Sequence, residues 1–496
     1  MIIDYLEELI LHFFGHKTTL CQDKAIHKLA EFILKMTEDS DNANSAFVNR
    51  EAFILTGYAG TGKTSLVAAL VKAMEEIGRK CVLLAPTGRA AKVFSGYADN
   101  PAFTIHKRIY RQKSVGDDTG YSLGFNSMKN TLFIVDEASM IASSNSLDPL
   151  LPRNLLDDLI EFVYSGAGCR LILLGDTAQL PPVGEQDSAA LMPAVISSYG
   201  INVTNVTLTE VVRQGHMSGI LKNATNLRMM ITDSQTSLYA EFPKIQFSAD
   251  VVNIKGNELI EAIYDCYHDY GKDDTIVVCR SNKRANIYNQ GIRAQILDRE
   301  EELGSGDIIM IAKNNYHWLK ELNIEGIEHG EDGNNAKQGF IANGDIAIVE
   351  RVRNERELYG FRFADCILRL PDYDDLEFDA TVMLDTLHLE QPALSREQNK
   401  LLWDRVMEDY MDIPHKADRI KKMKEDPYYN ALQIKYAYAV TCHKAQGGQW
   451  SAVFIDQGYV SEDMIDTDYY RWLYTALTRA TERLYLVNWS NPSETQ

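Results

Sequence analysis

The chain has 496 residues, 45% hydrophobic and 24% charged, enough apolar sequence for about three packed domains and incompatible with wholesale disorder. Its 50 basic residues stand against 70 acidic ones, a formal net charge of −20, so a surface coated in basic patches is excluded while a local positive groove is not. The seven cysteines are scattered with no C-x-x-C pair, which argues against a zinc module or an iron–sulfur cluster and suits a reducing compartment.

The opening segment MIIDYLEELILHFFGHK carries Asp4, Glu7 and Glu8 and has no basic leader, so it does not read as a signal peptide. Ile3, Leu6, Ile10 and Phe13 share one helical face and predict an amphipathic helix. No stretch approaches the roughly 18 consecutive apolar residues of a membrane span. The chain therefore reads as cytoplasmic, nucleoid-associated if bacterial, with no membrane partner.

Between about residues 50 and 200, the apolar runs AFILTG (52–57), CVLLAP (81–86), TLFIVDE (131–137) and RLILLGD (170–176) alternate with helical segments. Near-continuous apolar strands bounded by Gly, Pro or polar residues are how a parallel sheet covered on both faces reads, so the pattern predicts a doubly wound α/β unit. VTNVTLTE (203–210), DTIVVCR (274–280), SAVFIDQ (451–457) and RLYLVNW (483–489) predict a second such unit, interrupted in sequence. In the interruption, about 306–434, GDIIMIAKN, FIANGDIAIVERV, FRFADCILRL and FDATVMLDTLHL mix apolar with polar residues. Broken by Gly, Asn and Asp, they predict short antiparallel strands in a small barrel or sheet. The polar loop IEGIEHGEDGNNAKQG lies within it, and the helical segment SREQNKLLWDRVMEDYM should pack against it.

Gly57-Tyr-Ala-Gly-Thr-Gly-Lys63-Thr64 fits G-x-x-x-x-G-K-[ST] at every fixed position, after an apolar strand and before the helical stretch TSLVAALVKAM. Around Gly57, Gly60, Thr61 and Gly62 successive backbone amides can curl about phosphate oxygens, and the helix that starts at Lys63, Thr64 and Ser65 adds its dipole. Lys63 would reach the β- and γ-phosphates of ATP, and the Thr64 hydroxyl would ligate Mg²⁺. The strand Leu132-Phe-Ile-Val ends in Asp136-Glu137: Asp136 would help to hold Mg²⁺, and Glu137 would orient and deprotonate an attacking water. These residues describe an NTP hydrolase.

The chain carries, in order, TGYAGTGKTS, LLAPTGRAAK, TIHK, VDEASM, LLGDTAQLPPV, LTEVVRQ, YAVTCHKAQGGQW and YTALTRA. The series resembles the motif set of superfamily 1 helicases, in particular the 5′→3′ branch with RecD-like enzymes and the phage Dda helicase, from about residue 17 to 490. The resemblance implies that Gln22 reads an adenine edge, that Gln179 senses the γ-phosphate, and that Arg213 and Arg479 are arginine fingers reaching across from the second unit. It implies that Pro86, Thr87, Arg89 and Lys92, then Thr104 and His106, hold the single-strand backbone on one unit, with Thr441, His443 and Lys444 doing so on the other. Gln446, Gly447 and Gly448 would lie where the ATP site meets the DNA track, while Gln449 stands where many relatives carry Glu. The segment KRIYRQKSVGDDTGYSLGFNSMKN reads as a β-hairpin and resembles the strand-separating pin. Its Tyr110, Tyr121 and Phe125 either stack on bases or hold the hairpin together. Phe340 to Asp345, with the strands around it, resembles the SH3-like insertion of this branch.

The expected fold is thus α/β, with two RecA-like parallel-sheet domains, a β-hairpin pin and an SH3-like β insertion. The division would be residues 1–200 with the pin at about 108–130, a second domain from 201–305 and 435–496, and the insertion with its helical segment over 306–434. The expected function is that of an ATP- and Mg²⁺-dependent helicase moving 5′→3′ on single-stranded DNA in repair, recombination or replication. It would act as a monomer on forked or tailed duplex, with single-strand-binding or replication and repair proteins as further partners. An RNA helicase of the same superfamily, or a P-loop ATP switch that controls a protein partner, are the alternatives.

Overall fold

The computed structural model describes residues 2–41, 50–112, 121–143, 154–211, 218–234, 241–315, 317–319, 341–373 and 375–490. Helices α1 (Ile2–Phe14) and α2 (Leu20–Asp41) precede strand β1 (Glu51–Gly57), which leads through the glycine loop into α3 (Lys63–Glu76). Next come β2 (Cys81–Ala85), α4 (Gly88–Ala98), β3 (Ala102–Thr104) and α5 (Ile105–Ile109), then the hairpin strands β4 (Tyr110–Gln112) and β5 (Tyr121–Leu123). Strand β6 (Leu132–Val135), α6 (Leu155–Ser165), β7 (Arg170–Gly175), α7 (Pro193–Ser198) and β8 (Asn202–Leu208) complete this part. The sheet is wholly parallel, in the order β3-β2-β6-β7-β1-β8.

The central strands are apolar at every position because alternate side chains enter different cores. Phe53 and Leu55 of β1 pack with Leu6, Ile10, Ile26, Leu29 and α3, whereas Ala52 and Ile54 pack with α6 and Ile196 of α7. The amphipathic stripe of α1 is therefore buried against α2 and α3 within this core, with Ile10 fully buried.

The second unit starts with α8 (Gly219–Ser234), β9 (Val251–Ile254), α9 (Leu259–Asp269), β10 (Thr275–Cys279) and α10 (Asn282–Gln295). A closed barrel is then made from β11 (Ile308–Ile311), β12 (Ile346–Leu358), β13 (Phe361–Leu370) and β14 (Leu376–Met383). After α11 (Arg396–Glu408) and α12 (Lys416–Glu425), its fifth strand is β15 (Leu432–Tyr436). Ser395 caps α11 in a full capping box with Gln398, and Leu402 and Val406 of that helix pack on Phe361 and Phe363 of the barrel. The chain re-enters the second sheet with β16 (Ala439–Thr441), α13 (Cys442–Ala445), β17 (Trp450–Asp456), α14 (Thr467–Leu477) and β18 (Ala480–Val487). This sheet is also parallel, ordered β16-β10-β17-β18-β9. The architecture is two RecA-like sheets with a hairpin and an SH3-like barrel.

Two strand expectations need correction. The run 203–210 does not open the second sheet: β8 is the edge strand of the first, in register with β1 from Glu51↔Asn202 to Gly57↔Leu208. Only Val206 and Leu208 of it are buried, and an edge strand tolerates the polar residues between them. The expected break between residues 200 and 201 thus precedes a strand of the first sheet. Strand β15 was not anticipated, and the expected insertion end at 434 falls inside it; it closes the barrel by pairing antiparallel with β11 (Ile309↔Tyr436) and parallel with β14 (Val382↔Leu432). The hairpin's Gly116–Gly120 tip, Arg213, Phe340 and the polar loop of the insertion lie outside the described residues.

Candidate nucleotide site and nucleic-acid track

The glycine loop runs from the carboxyl end of β1 to the first turn of α3. Gly60 and Gly62 adopt positive φ, 77° and 81°, where a side chain would be strained, and a Cβ on Gly57 would lie 2.8 Å from Thr61 Oγ1. Thr61 Oγ1 donates to the Tyr58 carbonyl (2.8 Å), and Lys63 Nζ donates to the carbonyls of Gly57 and Tyr58, the latter at 3.0 Å. The ammonium is therefore held over the loop. Ser65 is exposed on the same first turn.

Gln22 lies beneath this loop, fully buried, where its Nε2 donates to the Thr61 carbonyl (3.0 Å) and its Oε1 accepts from the Thr19 amide (3.0 Å). The sequence points it at an adenine edge; the structure gives it a brace between α2 and the loop. A Cβ on Gly62 would come within 2.9 Å of its Nε2, which together with the positive φ disfavours a side chain there.

Strand β6 delivers Asp136 and Glu137 opposite the loop. Asp136 Oδ2 accepts from Thr64 Oγ1 (3.3 Å), and its Oδ1 accepts from the Glu137 amide (2.8 Å). Glu137 holds a left-handed backbone, φ 51°, a conformation costly for a residue with a Cβ and characteristic of functional turns. Burial pushes both carboxyls above the ordinary range; Lys63 pulls both back, and Arg479 is the larger opposing influence on Glu137. Thr64 and Asp136 offer a hydroxyl and a carboxylate side by side, hard oxygens of the kind that would suit a divalent cation such as Mg²⁺.

The loop after β7 forms the third wall. Asp176 Oδ1 accepts from the Ala178 amide (2.9 Å), which turns the chain so that Gln179 is buried with its Oε1 unpartnered. The adjacent Leu180 is clasped by the second unit: its amide donates to Thr475 Oγ1 (2.9 Å) and its carbonyl accepts from Gln446 Nε2 (2.7 Å). Arg479 follows α14 and is buried, with Nε on the Thr475 carbonyl (3.0 Å) and Nη1 on the Gly448 carbonyl (3.1 Å). Gly447, at φ 75°, approaches the first unit so closely that a Cβ would sit 3.0 Å from that of Ala90. The structure thus brings together Lys63, Thr64, Asp136, Glu137, Gln179 and Arg479 in one interdomain cleft.

The second set of expected residues falls at edge-strand ends and helix starts in both sheets. Strands β3 and β16 are the corresponding edges of the two sheets, and each ends in Thr-x-His-Lys: Thr104-Ile-His106-Lys107 and Thr441-Cys-His443-Lys444. Thr104 caps α5 by accepting from the Lys107 amide (3.3 Å), whereas Thr441 makes no cap bond. His106 is half-buried with its ring 5.6 Å from that of Tyr110, and burial lowers the basicity of His443 and brings Lys444 down to about 8. Thr87, after Pro86, caps α4 by accepting from the Ala90 amide (3.2 Å). Arg89 lies over the Trp450 ring (4.1 Å) and donates to the Gln449 carbonyl (3.1 Å), clasping the two units together. Lys92 Nζ donates to the Pro371 carbonyl (2.5 Å) and pairs with Asp372 (3.4 Å), so the barrel rests on α4.

In the hairpin, Tyr110 is buried and donates to Asp158 Oδ2 (2.7 Å), which settles it as an anchor, while Phe125 is 81% exposed. Sequence reasoning missed Tyr474, whose hydroxyl meets both the phosphate loop and Asp176. It lies inside YTALTRA, but nothing in that string marks it apart from a core tyrosine.

Two parallel sheets with a phosphate loop on one, a buried arginine from the other and acidic residues between them define a P-loop ATPase of the RecA-like motor class. The AAA domain model matches residues 37–250, and the UvrD-like helicase C-terminal domain model matches residues 436–487. An uncharacterized protein of Acanthamoeba polyphaga mimivirus is 21% identical over 93% of this chain and 98% of its own length. The ATP-dependent RecD2 DNA helicase of Deinococcus radiodurans is 28% identical, over 39% of this chain but only 24% of its own. Among solved structures, Bacteroides Pif1 bound to single-stranded DNA is 16% identical with a TM-score of 0.43, over 91% of each chain. The two domain models and the helicase relatives make the chain similar to ATP-dependent DNA helicases of superfamily 1, and they support its reading as a 5′→3′ helicase of that kind. Among the described residues no helix is long and apolar enough to cross a membrane.

Proposed function

We propose that the protein hydrolyses ATP to move 5′→3′ along single-stranded DNA and to part tailed or forked duplex ahead of it, in repair, recombination or replication. The observation that carries this is the repeated Thr-x-His-Lys at corresponding edges of two parallel sheets that share one nucleotide cleft. Two corresponding grips on a strand, joined across a cleft that nucleotide closes, step when the cleft opens. Hydroxyls, imidazoles and helix-end amides hold phosphate without reading bases, as a tracking motor requires.

In the cleft, Lys63 and the loop amides hold the β- and γ-phosphates, and Thr64 with Asp136 hold Mg²⁺, which when bound neutralises phosphate charge. Glu137 accepts the proton of the attacking water; its burial keeps the carboxylate poorly solvated and hence more basic than an exposed glutamate. Gln179 offers its unpartnered Oε1 to that water, and Arg479, with Arg213 as the second finger, balances charge on the transferring phosphoryl group. The working division places the nucleotide loop and the hairpin pin in the first domain and both fingers in the second, with the barrel inserted into the latter.

Steady-state hydrolysis with and without oligo-dT tests the reading. Strong stimulation is expected, and Lys63→Ala should lower the stimulated rate at least about 100-fold. An unstimulated rate that still needs Lys63 would point to an ATP switch, and equal stimulation by oligo-U to an RNA motor. Unwinding of duplex with a 5′ tail but not a 3′ tail is expected; the reverse would overturn the polarity.

A further inference from the structure

The Tyr474 hydroxyl is the polar atom in which three parts of the proposed motor meet. It accepts from the Ala59 amide of the phosphate loop (2.9 Å) and donates to Asp176 Oδ2 (2.6 Å). Asp176 uses its other oxygen to hold the Ala178 amide (2.9 Å), next to Gln179. A phenol has one proton to give, and here the acceptor on one side and the donor on the other fix its direction. Burial and the neighbouring Asp176 keep the phenol far above its ordinary pKa, so it stays a donor at any working pH. Tyr474 itself sits on α14, whose next residue Thr475 takes the Leu180 amide and which ends two residues before Arg479.

We infer that Tyr474 is a positioning residue that couples the nucleotide to the strand: it ties the phosphate loop to the Gln179 loop through a helix belonging to the opposite unit. Movement of α14 relative to the first sheet cannot preserve both hydrogen bonds. Opening the cleft therefore frees the Ala59 amide and the Asp176 carboxylate in the same step, and the loop that senses phosphate changes together with the loop that contacts the second unit. This inference rests on the motor reading above, and goes beyond it by naming the residue through which the two sites communicate.

The test is a linkage measurement on the full chain. The affinity for a fluorescent, non-hydrolysable ATP analogue is measured with and without saturating oligo-dT, and so is the rate of oligo-dT-stimulated hydrolysis. In the unmodified protein oligo-dT should change nucleotide affinity by about 5-fold or more. Tyr474→Phe keeps the ring and its packing but removes both hydrogen bonds. It should bring that factor to about 2-fold or less, while nucleotide alone and oligo-dT alone bind within about 3-fold of their original affinities. The stimulated kcat should fall with little change in KM for ATP. Asp176→Asn loosens the same bridge from its other end and should also lose coupling, which keeps the inference testable if Tyr474→Phe cannot be purified. Retention of the full coupling factor in Tyr474→Phe would overturn the inference. Equal loss of both separate affinities together with thermal stability would also overturn it, since that is how a purely structural brace behaves. Absence of coupling in the unmodified protein would instead sink the motor reading, and this inference with it.

Discussion

At the residue scale the cleft separates binding from chemistry. Lys63 and the loop amides address phosphate charge, whereas Glu137, on a left-handed turn and pushed up by burial, addresses the proton of water. Glu137→Gln keeps shape and hydrogen bonding but cannot take that proton. Its kcat should fall by about 10²- to 10⁴-fold while the affinity for an ATP analogue changes little. Loss of nucleotide binding in parallel with kcat would show that Glu137 supports the loop rather than the reaction. Gln22 shows the limit of reading single residues: its sequence position says that an amide is needed near the nucleotide, but which atoms that amide meets depends on how α2 packs under the loop.

At the element scale, the two short helices α5 and α13 are alike in sequence but differ in how their threonines are used. Thr104 is buried and spends its hydroxyl on a cap, while Thr441 makes no cap bond. Thr104→Val should cost about 1 kcal/mol of stability, read as a lower melting temperature. Thr441→Val should leave the melt nearly unchanged and weaken oligo-dT binding; equal melting losses in both would refute the distinction. Elements with strong local signals were legible, because a strand buried on both faces must be apolar at every position. The edge strand β8 and the barrel strand β15 were not, since each is placed by a partner far away in sequence. Residues 202–208 pair with 51–57, and 432–436 close on both 309–311 and 382–383. No local pattern states such pairings.

At the scale of the whole molecule, the barrel docks on the first unit through an acid. Asp345 is fully buried, its Oδ2 accepting from the Ala342 amide (2.7 Å) and the Tyr373 hydroxyl (2.8 Å), while Oδ1 has no partner and faces Gly88, where a Cβ would collide with it. Burial raises its carboxyl to about 7. A carboxyl raised above its ordinary value stabilises most where it is protonated in both folded and unfolded chain. Stability should therefore decline between about pH 4 and pH 7, by an amount on the order of a few kcal/mol, and level off above. Asp345→Asn removes the titration, so the melting temperature of the parent relative to the variant should be constant between pH 8 and pH 7 and rise from pH 7 to pH 5. A parent that loses melting temperature relative to the variant on acidification would show the sign to be wrong. Sequence by itself determined the two α/β units, the phosphate loop, the Asp136–Glu137 pair and the inserted strands, because each follows from a short-range pattern of polarity or from a string of adjacent residues. Tertiary structure alone decided that β8 belongs to the first sheet, that the barrel rests on α4, and that Tyr474 bridges Ala59 and Asp176. Those facts depend on groups up to 415 residues apart meeting at hydrogen-bond distance, which only the packing of the whole chain specifies.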